Sequence, residues 1–127
     1  MNLSQIKRLI AEPYEGILTV SDDVECLICN YLGNEFWVYL MPGDSIEQIV
    51  LSFISNGSAD LSADELNEFN DAAHVGRMFL NSDGFLNLNA KYIGRFQDLT
   101  PKSFVMFMEA WMDDFDRMLP KLNRFSA

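Results

Sequence analysis

The residues best suited to chemistry in this 127-residue chain are two thiols, one imidazole and several adjacent carboxylates. Cys26 and Cys29 form a Cys-x-x-Cys, the spacing of redox pairs and of half a zinc site. A redox pair needs its first thiol at a helix N-terminus, where the dipole lowers the pKa, but Val24 to Tyr31 reads as a strand. On a strand, residues i and i+3 point to opposite faces, so neither a disulfide nor shared metal ligation is natural. Zinc would need further ligands, and His74 is the single histidine. The pair is therefore expected to be two small buried thiols in a reducing compartment, with no metal and no cofactor.

Hydrolytic chemistry finds equally little support. No Gly-x-Ser-x-Gly elbow surrounds any serine, and His74 has no evident nucleophile beside it. The glycines are isolated, so no phosphate loop exists. Asp22-Asp23 and Asp113-Asp114 fall on a predicted turn tip and on the expected solvent face of a helix, where solvated charge explains them without a pocket. The chain is expected not to be an enzyme.

Charge narrows the partners. The formal net charge is -10, from 19 acidic and 9 basic side chains, and it is unevenly spread. No Lys or Arg stands between Arg8 and Arg77, whereas the carboxylates from Glu12 to Asp71 crowd that stretch. A field of this sign repels phosphate backbones and anionic headgroups, so neither nucleic acid nor membrane is expected as a partner, and another protein is. No run approaches the roughly 18 apolar residues of a membrane span, and Met1 to Ile10 lacks a signal-peptide core, which together predict a cytoplasmic address.

These residues must be positioned by helices and strands that the sequence pattern outlines. With 49% hydrophobic and 13% aromatic residues, enough apolar surface exists for one core in a single domain over 1–127. Leu3 to Ala11 carries Leu3, Ile6, Leu9 and Ile10 on one helical stripe and ends before Pro13. Gly16 to Ser21 and Val24 to Tyr31 read as a hairpin turning at Asp22-Asp23, and Glu35 to Met41 follows Gly33-Asn34 as a third strand. Ile46 to Ile54 fits helix or strand, with strand preferred. Ser62-Ala-Asp-Glu65 is a capping box that predicts a helix from Ala63 to about His74. Arg77 to Asn81 and the alternating Leu86 to Tyr92 make a hairpin around Asp83-Gly84. Thr100-Pro101 then opens a long helix to about Leu119, with Pro120 as its expected breaker.

That last helix has an unusually wide apolar arc. Phe104, Phe107, Met108, Trp111, Phe115, Met118 and Leu122 form one stripe, and Val105, Met112 and Leu119 broaden it. Part of the arc is expected to be a protein interface or dimer contact, with Met108, Trp111, Met112, Phe115 and Leu119 as its candidates. Asp113, Asp114 and Asp116 mark the expected solvent face.

The fold class so predicted is α+β: an antiparallel sheet flanked by helices, in the order α-β-β-β(-β)-α-β-β-α. Within 66–119, Leu-Asn-Glu-Phe-Asn at 66–70, Gly76-Arg77, Asp83-Gly84 and Leu99-Thr100-Pro101 resemble the YbjN family, described as bacterial sensory transduction regulators. The Asn-x-Trp/Phe-Asn element of that family is matched by Asn67, Phe69 and Asn70, and its basic strand residue by Arg77. A Trp is common where Phe69 stands. The N-terminal half is similar only in element order. The resemblance implies the fold of class I type III secretion chaperones, which are small acidic dimers, and it implies no catalysis. Asn67, Asn70 and Arg77 are expected to be structural, with Arg77 paired to a carboxylate such as Asp71 or to an Asn carbonyl. The expected function is a regulatory or adaptor domain acting by protein contacts as a homodimer. The alternatives are a secretion chaperone and an acidic immunity protein for a basic toxin.

Overall fold

The computed structural model describes residues 2–41, 46–95 and 100–122. The elements run α1 (Leu3–Ala11), β1 (Leu18–Asp23), β2 (Cys26–Tyr31), β3 (Asn34–Met41), β4 (Ile46–Ser58), α2 (Ala63–Ala72), β5 (Arg77–Leu80), β6 (Phe85–Arg95) and α3 (Pro101–Leu122). The six strands form one antiparallel sheet in the order β1-β2-β3-β4-β6-β5. The fold is α+β, as the pattern of elements predicts.

Local chemistry sets the helix starts. Asn2 caps α1 through Gln5, Ser62 caps α2 through Glu65, and Thr100 accepts from the Ser103 amide at the start of α3. The ambiguous Ile46 to Ile54 segment lies in β4, a 13-residue strand. Ile49, Leu51 and Phe53 are buried on one side of it while Val50, Ser52 and Ile54 face the other, so the period of two wins over the period of 3.6. Two predicted turns move. The β1–β2 loop is Val24-Glu25, with Glu25 at φ 60, and Asp22 and Asp23 belong to β1. The β2–β3 loop is Leu32-Gly33, both at positive φ, with Asn34 paired to Tyr31. Pro120 does not break α3 where the pattern places its end, since the helix continues through it to Leu122 among the described residues.

The core lies between one face of the sheet and the helices. Leu27 and Cys29, Phe36 and Val38, Ile49 and Leu51, and Leu86 and Leu88 alternate inward from successive strands. They meet Ile6 and Ile10 of α1 and Phe104, Trp111 and Phe115 of α3, all of them fully buried. Phe115 stacks edge-on against Phe53, and its ring centre lies 5.3 Å from that of Phe36. No helix among the described residues is long and apolar enough to cross a membrane.

Candidate functional site

The wide apolar arc of α3 is absorbed inside the chain. Met108, Trp111 and Phe115 have no exposed surface, Met112 is buried, and Leu119 is half-buried against the core. These five candidates for an interface are therefore core residues of a single copy. The reason is geometric: α3 lies across the sheet while α1 packs along its flank, so two surfaces rather than one cover the helix. Met106 alone of the methionines on this helix stays exposed.

The motif residues divide. The Asn70 amide donates to the Met78 carbonyl at 2.9 Å, and its oxygen accepts from the Met78 N–H at 2.7 Å, so a side chain takes the place of a strand on the edge of β5. Phe69 is buried with the Arg117 guanidinium 5.2 Å above its ring. Asn67 is exposed. Arg77 is exposed on β5, and no ion pair between it and Asp71 forms among the described residues; Arg117 instead approaches the Asp114 carboxylate at 3.6 Å and donates to the Ala72 carbonyl.

Asp114 corrects another expectation. It is fully buried, not on the solvent face, and accepts the backbone N–H groups of His74, Val75 and Gly76 at 2.8–3.1 Å. Gly76 is required by contact rather than by φ, since a Cβ there would stand 2.9 Å from Leu88 Cδ1 and 3.3 Å from Asp114 Oδ2. Beside this lock, His74 Nε2 lies 2.7 Å from the exposed Asp113 carboxylate. His74, Asp113 and Asp114 together have the composition of a cation site. The donor set does not suit one: three N–H dipoles already converge on the Asp114 carboxylate, and their positive ends oppose a cation at its oxygens. The arrangement is a loop anchor that ties the α2–β5 connection to α3.

The thiols lie on opposite sides of β2, as strand geometry requires. Cys29 faces the core beside Phe36, and burial pushes its thiol up to about 12. Cys26 is buried on the outer side. Both are free.

The feature that stands out is that outer side. The three described helices pack on the inner face, so among the described residues no helix lies on the other face of the six strands. Cross-strand register places its apolar residues together. Tyr39 pairs with Cys26 and Val50, Trp37 with Ile28 and Ser52, and the Met41–Gln48–Ile93 row lies next to them. Tyr39 is 39% exposed, Met41 52% and Ile93 56%, exposed apolar side chains on one face, with Gln48 between Met41 and Ile93. At its lower end an open groove of about 580 Å³ continues past Trp37 and Ile54 to Ser55 and Leu122. The sequence carries a signal of this face. Phe36-Trp-Val-Tyr-Leu-Met41 is apolar at both parities, which suits a strand covered on both sides and not one with a wet face.

Comparison with protein-family models, with curated proteins and with solved structures finds no match for this chain.

Proposed function

We propose that this chain is a non-enzymatic protein-binding domain of regulatory or adaptor type, as its resemblance to the YbjN family implies, acting in the cytoplasm through the outer face of its sheet. The observation that carries the reading is the patch around Trp37, Tyr39, Met41 and Ile93, on a face that none of the described helices covers. Aromatic and methionine side chains on a rigid sheet supply contact area at little entropic cost, and they are enriched in protein interfaces. The reactive groups are engaged structurally. The His74 imidazole contacts Asp113, Asp114 anchors a loop, and the Cys29 thiol is held protonated by burial.

A second reading, a secretion chaperone that accepts an extended partner segment, is favoured by one observation. Among the described strands β1 pairs only with β2, so its outer edge presents backbone donors and acceptors to an added strand.

The test is affinity capture on the immobilised wild-type chain and on Trp37→Glu, after circular dichroism shows the same fold. A protein retained by the wild type and lost on Trp37→Glu is expected. Equal retention by both would overturn the outer face as the binding surface, and retention sensitive only to substitutions in β1 would favour the chaperone.

A further inference from the structure

We propose that the outer sheet face is closed by a second copy of this chain, the two sheets stacking about a twofold axis that runs parallel to β3 and β4. The inference rests on the reading that this face binds protein, and names the partner.

Charge supports it first. The chain as a whole is strongly acidic, at -10, yet among the described side chains the outer face is balanced. Among the described side chains it carries Asp23 on β1 and Glu35 on β3, against Lys91 on β6 and Arg77 on β5. A basic partner would select an acidic surface, and the acidic residues of this protein lie mostly elsewhere. A balanced face is one that can meet another of its own kind without net repulsion.

The distribution of those four charges then fixes the geometry. In the strand order β1-β2-β3-β4-β6-β5 the carboxylates occupy the first half of the sheet and the cations the second. Two copies face to face can be related by an axis across the strands or along them. An axis across the strands sets each half over itself, the acidic half over the acidic half. An axis along the strands, between β3 and β4, sets β1 to β3 of one copy over β4, β6 and β5 of the other. The Asp23 corner then lies over the flank that carries Lys91 and Arg77, and the apolar rows of Trp37, Tyr39 and Val50 meet at the centre. Such an interface is isologous, as a closed dimer requires, and stacks the sheets in the aligned manner of β-sandwiches.

Size is consistent with a stable contact. Six strands about 4.8 Å apart and eight-residue β3 at about 3.4 Å per residue give a face of roughly 25 by 27 Å, on the order of 650 Å² per copy in projection. A stable interface removes about 800 Å² of accessible surface per partner, and accessible area exceeds projected area.

The experiment is sedimentation equilibrium on the full chain combined with photo-crosslinking. The wild type is expected to sediment as a dimer. Trp37→Glu, or Ile93→Glu if the first fails to fold, is expected to give a folded monomer. Lys91→Glu should weaken association by about tenfold, and Asp23→Lys in the same chain should recover most of that loss, a coupling that exists only if the two residues approach across the axis. A monomeric wild type at about 200 µM, or a dimer indifferent to both Trp37→Glu and Ile93→Glu, would overturn the proposal. A benzophenone amino acid in place of Tyr39, irradiated in cells, separates this proposal from the reading beneath it. An adduct of twice the chain mass supports the second copy. An adduct with a different protein overturns the second copy and leaves the protein-binding reading intact, and no adduct overturns both.

Discussion

The Asp114 carboxylate and the Gly76 amide meet at 2.8 Å in a fully buried position, 38 residues apart in sequence. With the His74 and Val75 amides on the same carboxylate, this contact fixes where β5 begins relative to α3. Asp114→Ala would strand the buried Gly76 donor and the part-buried His74 and Val75 donors, the buried one costing about 1–3 kcal/mol if left unpaired and the other two less. The expected loss is about 3–5 kcal/mol in urea unfolding, with Asp114→Asn intermediate because its oxygen still accepts. A loss below about 1 kcal/mol for Asp114→Ala would show that water replaces the carboxylate and that the anchor is dispensable.

Asn70 and Asn67 lie three residues apart on α2 but differ in what they touch. Asn70→Ala removes both bonds to Met78 and is expected to cost about 2 kcal/mol, whereas Asn67→Ala, at an exposed position, should change stability by less than about 0.5 kcal/mol. Native-state hydrogen exchange at the Met78 amide gives the local readout. Its protection should fall in the Asn70 variant and stay unchanged in the Asn67 variant.

Alkaline pH should destabilise the fold in a defined direction. Burial raises the Cys29 thiol from 9.0 to about 12, and the hydrogen bond to Asp116, helped by partial burial and the carboxylate charge, raises the Tyr31 hydroxyl above 10.0. Between the unfolded and folded values the native chain binds more protons than the unfolded one, so stability is fully present below about pH 9 and is lost as pH rises toward 12. Cys29→Ala should flatten the fall in unfolding midpoint between pH 8.5 and 10.5, read by thermal denaturation. An identical slope in that variant would assign the alkaline loss to the tyrosines and to Cys26, whose thiol is also raised by burial. At pH 8 the native Cys29 should resist thiol reagents that label it in denaturant.

Met112 separates a core helix from an interface helix. At its buried position Met112→Glu puts a charge where no cation waits, and unfolding or a loss above about 3 kcal/mol is expected, while Met112→Leu should cost less than about 1.5 kcal/mol. A stable, folded Met112→Glu chain of half the wild-type mass would return α3 to the dimer contact.

Much of the architecture was legible in the residues. The capping box at Ser62, the Thr100-Pro101 start and the alternation of Leu86 to Tyr92 each encode a local preference that packing does not oppose, and α1 runs over the range its stripe predicts. What the pattern misplaced depends on tertiary partners. Asp114 follows an acidic residue on a helix and looks solvated, and only the three amides of a distant loop make it a core residue. The breadth of the α3 arc measures how many elements cover the helix, and helical periodicity cannot tell a neighbouring α1 from a second chain. The outer face was visible in the two-sided apolar run of β3, but each residue there also fits an inward position until register assigns the parity.

The hydrogen bonds of Asn70 also bear on polymerisation. Fibres grow from folded chains by adding strand to strand at free sheet edges, and a monomer must offer two such edges for growth to continue. Here the β5 edge is occupied at Met78 by a side chain of the same molecule, and among the described strands β1 is the other edge. Two chains joined β1 to β1 would expose only Asn70-blocked ends, and the adjacent Asp22 and Asp23 of each β1 would crowd like charge at the seam. Replacing Asn70 by a residue without an amide would free the Met78 backbone donor and acceptor and add a second edge open to strand pairing.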